Sequence, residues 1–207
     1  MPDLTPPPLH PGQGVPLERE DYRREFRERE EEIRDRDSWK LERRQHFEEQ
    51  GNASWDAMRR GEWETALRLL EENRGSLLAT AREDARRRSF FHRVRVVEQP
   101  LSPYVQWQLH SLRLRAEYGE TVRVVDAAGL ESAESAGVLP ELVVLGGEVL
   151  YRIRYTGTGV PDGAVRYTDP RLVEEWERYL RTLHEGGEDI QSYFTRRVEH
   201  LPPPVPA

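Results

Sequence analysis

The chain has no cysteine, which excludes disulfides, zinc–thiolate sites and thiol nucleophiles. It has a single lysine, Lys40, among 31 Lys and Arg residues, so every other cationic side chain is arginine. Arginine suits bidentate contacts with carboxylates and phosphates. No apolar run approaches the roughly 20 residues a membrane helix needs, and residues 1–16 lack the basic-then-apolar order of a secretory signal. A cytoplasmic protein without membrane attachment is therefore expected. The six histidines (His10, His46, His92, His110, His184, His200) are scattered, with no pair at the i, i+4 spacing of a helical metal site. Gly146-Gly147 and Gly157-Thr-Gly159 are not followed by Lys-Ser or Lys-Thr at a helix start, so neither reads as a phosphate loop. The sequence thus predicts no catalytic residue, no metal and no cofactor. A formal net charge of −7 speaks against direct nucleic-acid binding, which rests on neutralising phosphates.

What is present suits one domain, or a small domain carrying a helical extension: 207 residues, 36% hydrophobic and 33% charged. The proline-rich ends, 1–16 and 202–207, read as disordered tails. Residues 17–88 read as helical. Tyr22, Phe26 and Ile33, with Leu41 beyond, recur at helical spacing on a Glu/Arg-rich surface, predicting helix from Leu17 to about Gln50 with a restart at Asp37-Ser38. Gly51-Asn52 ends it, a short helical turn follows Ser54, and a third segment from Trp63 to about Arg88 is expected to bury Ala66, Leu67, Leu70, Leu77 and Leu78. Gly61, Trp63, Ala66 and Leu70 have the spacing of one tetratricopeptide turn, but a single copy cannot make an array.

Residues 89–201 read as an α/β domain. Arg93-Val-Arg-Val-Val97 and Thr121-Val-Arg-Val-Val125 alternate at period two, and Ser102-Pro103 starts a helix between them. Short strand–helix–strand connections make these strands parallel. Leu142–Leu145 and Val149–Thr156 flank a Gly-Gly turn, giving a hairpin, and further helices start at Asp169-Pro170 and Asp189. The expected fold class is α+β: an N-terminal helical extension packed with a C-terminal mixed α/β sheet domain, a βαβ unit followed by a β-hairpin and helices.

The phrases Trp39-Lys-Leu-Glu-Arg-Arg-Gln-His-Phe47, Arg93-Val-Arg-Val-Val-Glu-Gln-Pro-Leu-Ser-Pro-Tyr104, Tyr118-Gly-Glu120 and Pro161-Asp-Gly-Ala164 resemble a family of unknown function from high-GC Gram-positive bacteria, over most of residues 17–200. Members of that family are often encoded beside helix-turn-helix regulators, so the resemblance implies a regulatory setting without assigning an activity. The order from the first strand to the hairpin is also similar to half of a phospholipase-D-like domain. That resemblance would place the catalytic histidine, lysine and aspartate at Leu139, Glu141 and Gly146, and none of these can form a phospho-enzyme, so it implies a non-catalytic relative.

Two sets of residues are candidates for function. The strand arginines Arg93, Arg95, Arg123, Arg152 and Arg154, with Arg166, would gather on one sheet face if both long C-terminal helices covered the other; they either pair with acidic helices or bind an anionic ligand. The stripe Tyr22, Phe26 and Ile33 packs either on its own chain or on a protein partner, including a second copy in a homodimer. The leading expectation is a non-enzymatic regulatory or protein-interaction protein, partnering a DNA-binding helix-turn-helix regulator. The alternatives are a sensor of an anionic small molecule on an arginine-lined sheet face, and an enzyme of unrecognised type.

Overall fold

The computed structural model describes residues 5–205. The tail expectations for residues 1–4 and 206–207 lie outside the described residues. The chain runs through β1 (Val15–Leu17), α1 (Arg19–Glu32), β2 (Ser38–Glu42), α2 (Ala53–Arg59), α3 (Trp63–Glu72), α4 (Arg74–Arg87), β3 (Phe91–Val97), α5 (Pro103–Ala116), β4 (Thr121–Asp126), β5 (Leu142–Leu145), β6 (Val149–Tyr155), β7 (Pro161–Tyr167), α6 (Pro170–Gly186), β8 (Glu188–Asp189) and α7 (Ile190–Arg197). The strands form one mixed sheet in the order β1-β7-β6-β5-β2-β3-β4-β8. Only β2, β3 and β4 are mutually parallel. The fold is α+β.

The βαβ unit forms as its spacing demands. Ser102 accepts from the Val105 N–H at 3.2 Å and Pro103 occupies the first turn of α5. The chain then returns so that β4 lies parallel to β3, with Arg93 opposite Val122 and Arg95 opposite Val124. The β5–β6 hairpin also forms, but Leu145 pairs with Val149, leaving a three-residue loop one longer than the expected turn. Gly146 and Gly147 both sit at positive φ there (59° and 67°). At Gly146 the packing adds a second restriction, because a Cβ would stand 2.9 Å from the Ile33 side chain.

The helix expected across residues 17–50 is corrected by the structure: α1 stops at Glu32 and Ser38–Glu42 is the strand β2, at the middle of the sheet. Trp39 and Leu41 alternate with Ser38, Lys40 and Glu42, a period-two pattern too short to stand out beside the Glu/Arg-rich helix before it. Pairing on both sides, with β5 and β3, decides the conformation over local propensity. The N-terminal stretch read as a tail also contributes a strand, since β1 pairs antiparallel with β7. The segment from Trp63 is two helices meeting at Asn73, and Leu78, expected on a buried side, is exposed.

One face of the sheet is covered by α6. Its Val173, Trp176, Leu180 and Leu183, at helical spacing, pack on Trp39, Leu41, Val94, Val96, Leu142, Val144 and Leu150. The opposite face is covered in two separate pieces. Over β4, α5 buries Tyr104, Trp107 and Leu112 with Val122 and Val124, and α2, α3 and α7 pack around it. Over β5–β7, α1 lays Tyr22, Phe26 and Ile33 on Val143, Leu145, Val149, Tyr151 and Ala164. The apolar stripe of α1 is therefore used within its own chain. Tyr22 meets Tyr151 edge-on at 5.2 Å between ring centroids. Because Phe26 is half-buried, Phe26→Ala should cost about 2 kcal/mol, below the ~3–5 of a fully buried phenylalanine. Urea denaturation tests this, and a midpoint equal to wild type would mean that α1 adds nothing to the fold.

Candidate ligand-binding cleft

Because α1 and α5 cover opposite flanks of one sheet face, the strip between them, over β2 and β3, has no helix packed directly on it. A cleft of about 970 Å³ fills this gap, within the size range of small-molecule sites. Its floor is the sheet: Lys40 on β2, Phe91 and Arg93 on β3, Val143 on β5. Tyr22, Phe26 and Glu30 of α1 form one wall. The far side is one face of α4, with Leu77, Thr80, Ala81, Asp84 and Arg87 at helical spacing. No residue of α4 is buried, so that helix spans the cleft rather than packing on the sheet.

The floor is held by a network of buried charges. Glu42, 4% exposed, accepts from Arg93 at one carboxylate oxygen and from the Gln108 amide of α5 at the other (3.1 Å). Lys40 stands 2.7 Å from the first oxygen. Arg93 also pairs with Glu120, which Arg115 approaches at 3.6 Å. Arg95, fully buried, donates to Gln108 Oε1 at 2.7 Å and to the carbonyls of Glu42 and Val96. Burial opposes ionisation of Glu42, but Arg93, Lys40 and Arg95 outweigh it and hold the carboxyl well below the usual carboxylate range. Burial presses Arg95 below the ordinary arginine range. Four cations, Lys40, Arg93, Arg95 and Arg115, thus surround the two carboxylates of Glu42 and Glu120.

Lys40 has donors to spare. An ammonium carries three N–H groups, Glu42 takes one, and the side chain keeps 28% exposure at the cleft floor. The α1–α4 flank has the opposite character. Burial raises the carboxyls of Glu30 and Asp84, with Arg87 offsetting it in part. The cleft therefore combines cationic donors at its floor with the Glu30 and Asp84 carboxyls, partly offset by Arg87, on the α1–α4 side, and Tyr22, Phe26 and Phe91 add aromatic surface to its lining.

The strand arginines do not share one face. Arg93 and Arg95 lie on the cleft side. Arg123 sits opposite Val94 in the register, on the α6 side, and approaches Asp189 at 4.0 Å. Arg152 pairs with Leu142 and Val165, also on the α6 side. Arg154 donates to the Leu17 carbonyl at 3.2 Å, and Arg166 pairs with Glu25 of α1 at 2.7 Å. The single arginine face required α5 and α6 to cover the same side. They cover opposite sides, and the set divides. The cleft instead unites Arg93 with Tyr22 and Phe26, two sets read separately from sequence. Lys40, Glu42 and Gln108 were not anticipated; the sole lysine of an arginine-rich chain was the available signal.

A family model for a domain of unknown function, DUF6879, matches residues 24–195. The chain belongs to this family. The matched region contains every residue of the cleft floor and network. No curated protein and no solved structure matches the chain. Among the described residues of this DUF6879 protein, no helix is long and apolar enough to cross a membrane, and no three or more His, Asp or Glu side chains group as metal ligands. Leu139 and Glu141, singled out by the phospholipase-D-like resemblance, are buried, and Gly146 is in the hairpin loop.

Proposed function

We propose that this protein is a non-enzymatic, cytoplasmic regulatory protein that binds an amphipathic organic anion in the cleft between α1, α4 and the sheet. The observation that carries the reading is Lys40, whose ammonium faces a cavity of ligand size with donors left over. A ligand's carboxylate or sulfonate meets Lys40 and Arg93, its apolar body lies against Tyr22, Phe26 and Phe91, and its far end carries a hydrogen-bond donor toward Glu30 and Asp84. The floor carboxylates are committed to ion pairs, which favours holding a ligand over acid–base chemistry.

A regulatory output fits the same geometry. α4 buries no residue, so a ligand gripping its inner face changes the ordering of a helix that the rest of the fold constrains little. The resemblance to proteins encoded beside helix-turn-helix regulators supports such a regulator as the partner that reads this change.

Titration with 8-anilinonaphthalene-1-sulfonate, an aromatic sulfonate, tests the site. One saturable site is expected, weakened at least about tenfold in Lys40→Met, equivalent to about 1.4 kcal/mol, with the variant still folded but lowered in melting temperature by the lost Glu42 pair. Equal affinity in the folded Lys40→Met variant, or no saturable binding to wild type, would refute the cleft as the site.

A further inference from the structure

A second cavity, about 1050 Å³, opens at the carboxyl ends of β2 and β3. It is lined by Arg43 and Arg44, which follow β2, by Arg152 and Arg154 of β6, and by Glu141 just before β5. It differs from the cleft in what its charged groups are doing. Arg43 is fully engaged, by Glu98 at 2.6 Å and Glu134 at 2.6 Å. Arg44 makes no ion pair and no side-chain hydrogen bond among the described residues. Its Nε is buried without a partner, and its guanidinium lies 5.5 Å from the centroid of the Tyr155 ring. Arg152 likewise has neither ion pair nor side-chain hydrogen bond among the described residues, and it is exposed. Arginines elsewhere that share this lack, such as Arg23 and Arg171, are exposed on helix surfaces where water satisfies them. Arg44 is the one of this group that is half-buried rather than exposed.

The floor of the same cavity holds an unsatisfied carboxyl. Glu141 is 6% exposed. One of its oxygens accepts from the backbone N–H groups of Arg43 and Arg44, at 2.8 and 2.5 Å, while the other is buried with no partner. Withdrawing a guanidinium or a carboxyl oxygen from water without a replacement partner is costly. Both atoms are shielded from the cavity, so an incoming group would reach Arg44 through its two terminal nitrogens, which have no partner among the described residues. Burial pushes Glu141 up to about 7, against the opposing backbone hydrogen bonds from Arg44 and Arg43, so its neutral form is accessible near neutrality and lessens the negative charge beneath the cavity.

We infer that this crevice is a binding site for a compact oxyanion, a phosphate or carboxylate group of a small molecule, held by Arg44 and Arg152 with Glu141 beneath it. The planar guanidinium fork suits two-point contact with such a group. Arg44, with its guanidinium carbon over the Tyr155 ring, is positioned by that contact before the ligand arrives. The site is separate from the cleft of the proposed function, although Tyr155 lines both cavities. Neither reading depends on the other.

Isothermal titration of the full chain with inorganic pyrophosphate, and in parallel with citrate, at constant ionic strength tests the site and distinguishes the two chemistries. Saturable binding of at least one probe is expected. Arg44→Gln should weaken it at least about tenfold and Arg152→Gln about threefold or more, while Lys40→Met and Arg171→Gln leave it unchanged. Arg152 is exposed, so its variant remains informative if Arg44→Gln fails to fold. Pyrophosphate binding alone would assign a phosphate site, and citrate binding alone a carboxylate site. No saturable binding of either probe at about 10 mM, or equal affinity in folded Arg44→Gln and Arg152→Gln, would overturn the proposal. So would loss of binding in Lys40→Met, which would assign the anion to the cleft instead.

Discussion

Replacing Glu42 with glutamine should destabilise the protein by about 3–5 kcal/mol, the loss typical of removing one partner from a buried ion network. Glutamine has nearly the same shape, so the effect is electrostatic rather than a packing defect. The substitution leaves Lys40, Arg93 and Arg95 around a neutral amide, with only Glu120 to balance Arg93. The pH dependence has a definite sign. A carboxyl held below its unfolded value contributes stability that is fully present above the unfolded pKa, about 4.3 for glutamate, and is lost as the pH falls toward the folded value. The wild-type advantage over Glu42→Gln should therefore be full at pH 7 and shrink progressively below about pH 5. Urea denaturation of both proteins at pH 7 and pH 4 measures it. A difference under about 1 kcal/mol at pH 7, or one that grows on acidification, would show that the network does not hold the floor.

The C-terminal half of the fold was legible because its signals are local and agree with one another. Alternating Val and Arg gave β3 and β4, Ser102-Pro103 gave the start of α5, and Gly146-Gly147 gave the hairpin. Each is a short-range pattern whose physical cause lies within about ten residues. β2 was not legible, since five residues carry too few periods to outweigh a helical neighbour. What makes them a strand is the pair of ladders supplied by β3 and β5, about 50 and 100 residues away in sequence. That single misreading hid the site. With Ser38–Glu42 taken as helix, Lys40 and Glu42 could not be placed beside Arg93 and Arg95. Alternation along β3 did place those two arginines on one face. It could not say that α5 and α6 lie on opposite sides, which decides whether Arg123 and Arg152 join them. Arg44 and Glu141 were beyond reach for a related reason: their lack of partners is a property of the assembled fold, and no sequence pattern encodes it.

Trp107→Ala is expected to be comparably severe, at about 3–5 kcal/mol, because it removes a large buried side chain from the point where the helical layer joins the sheet. Trp107 is 2% exposed, with the Trp55 ring at 5.2 Å and the Tyr104 ring at 5.7 Å. Its indole N–H donates to Ser54 Oγ at 2.9 Å, and that hydroxyl donates onward to the Ala66 carbonyl at 2.8 Å. One side chain thus ties α5 to α2 and, through Ser54, to α3. Truncation leaves a cavity and removes the Ser54 hydroxyl's donor. Trp107→Phe keeps most of the volume and loses only the hydrogen bond, so it should cost about 1–2 kcal/mol. The consequence reaches the cleft, because α4 continues directly from α3 at Asn73 and buries no residue of its own. Loosening α3 therefore frees the far wall of the ligand site. Where Trp107→Ala is still folded, its affinity for 8-anilinonaphthalene-1-sulfonate should fall while Trp107→Phe stays near wild type. Wild-type affinity in a destabilised Trp107→Ala would show that α4 holds its place without α3, and that the cleft wall is set instead by its contacts with Glu30, Glu117 and Tyr118.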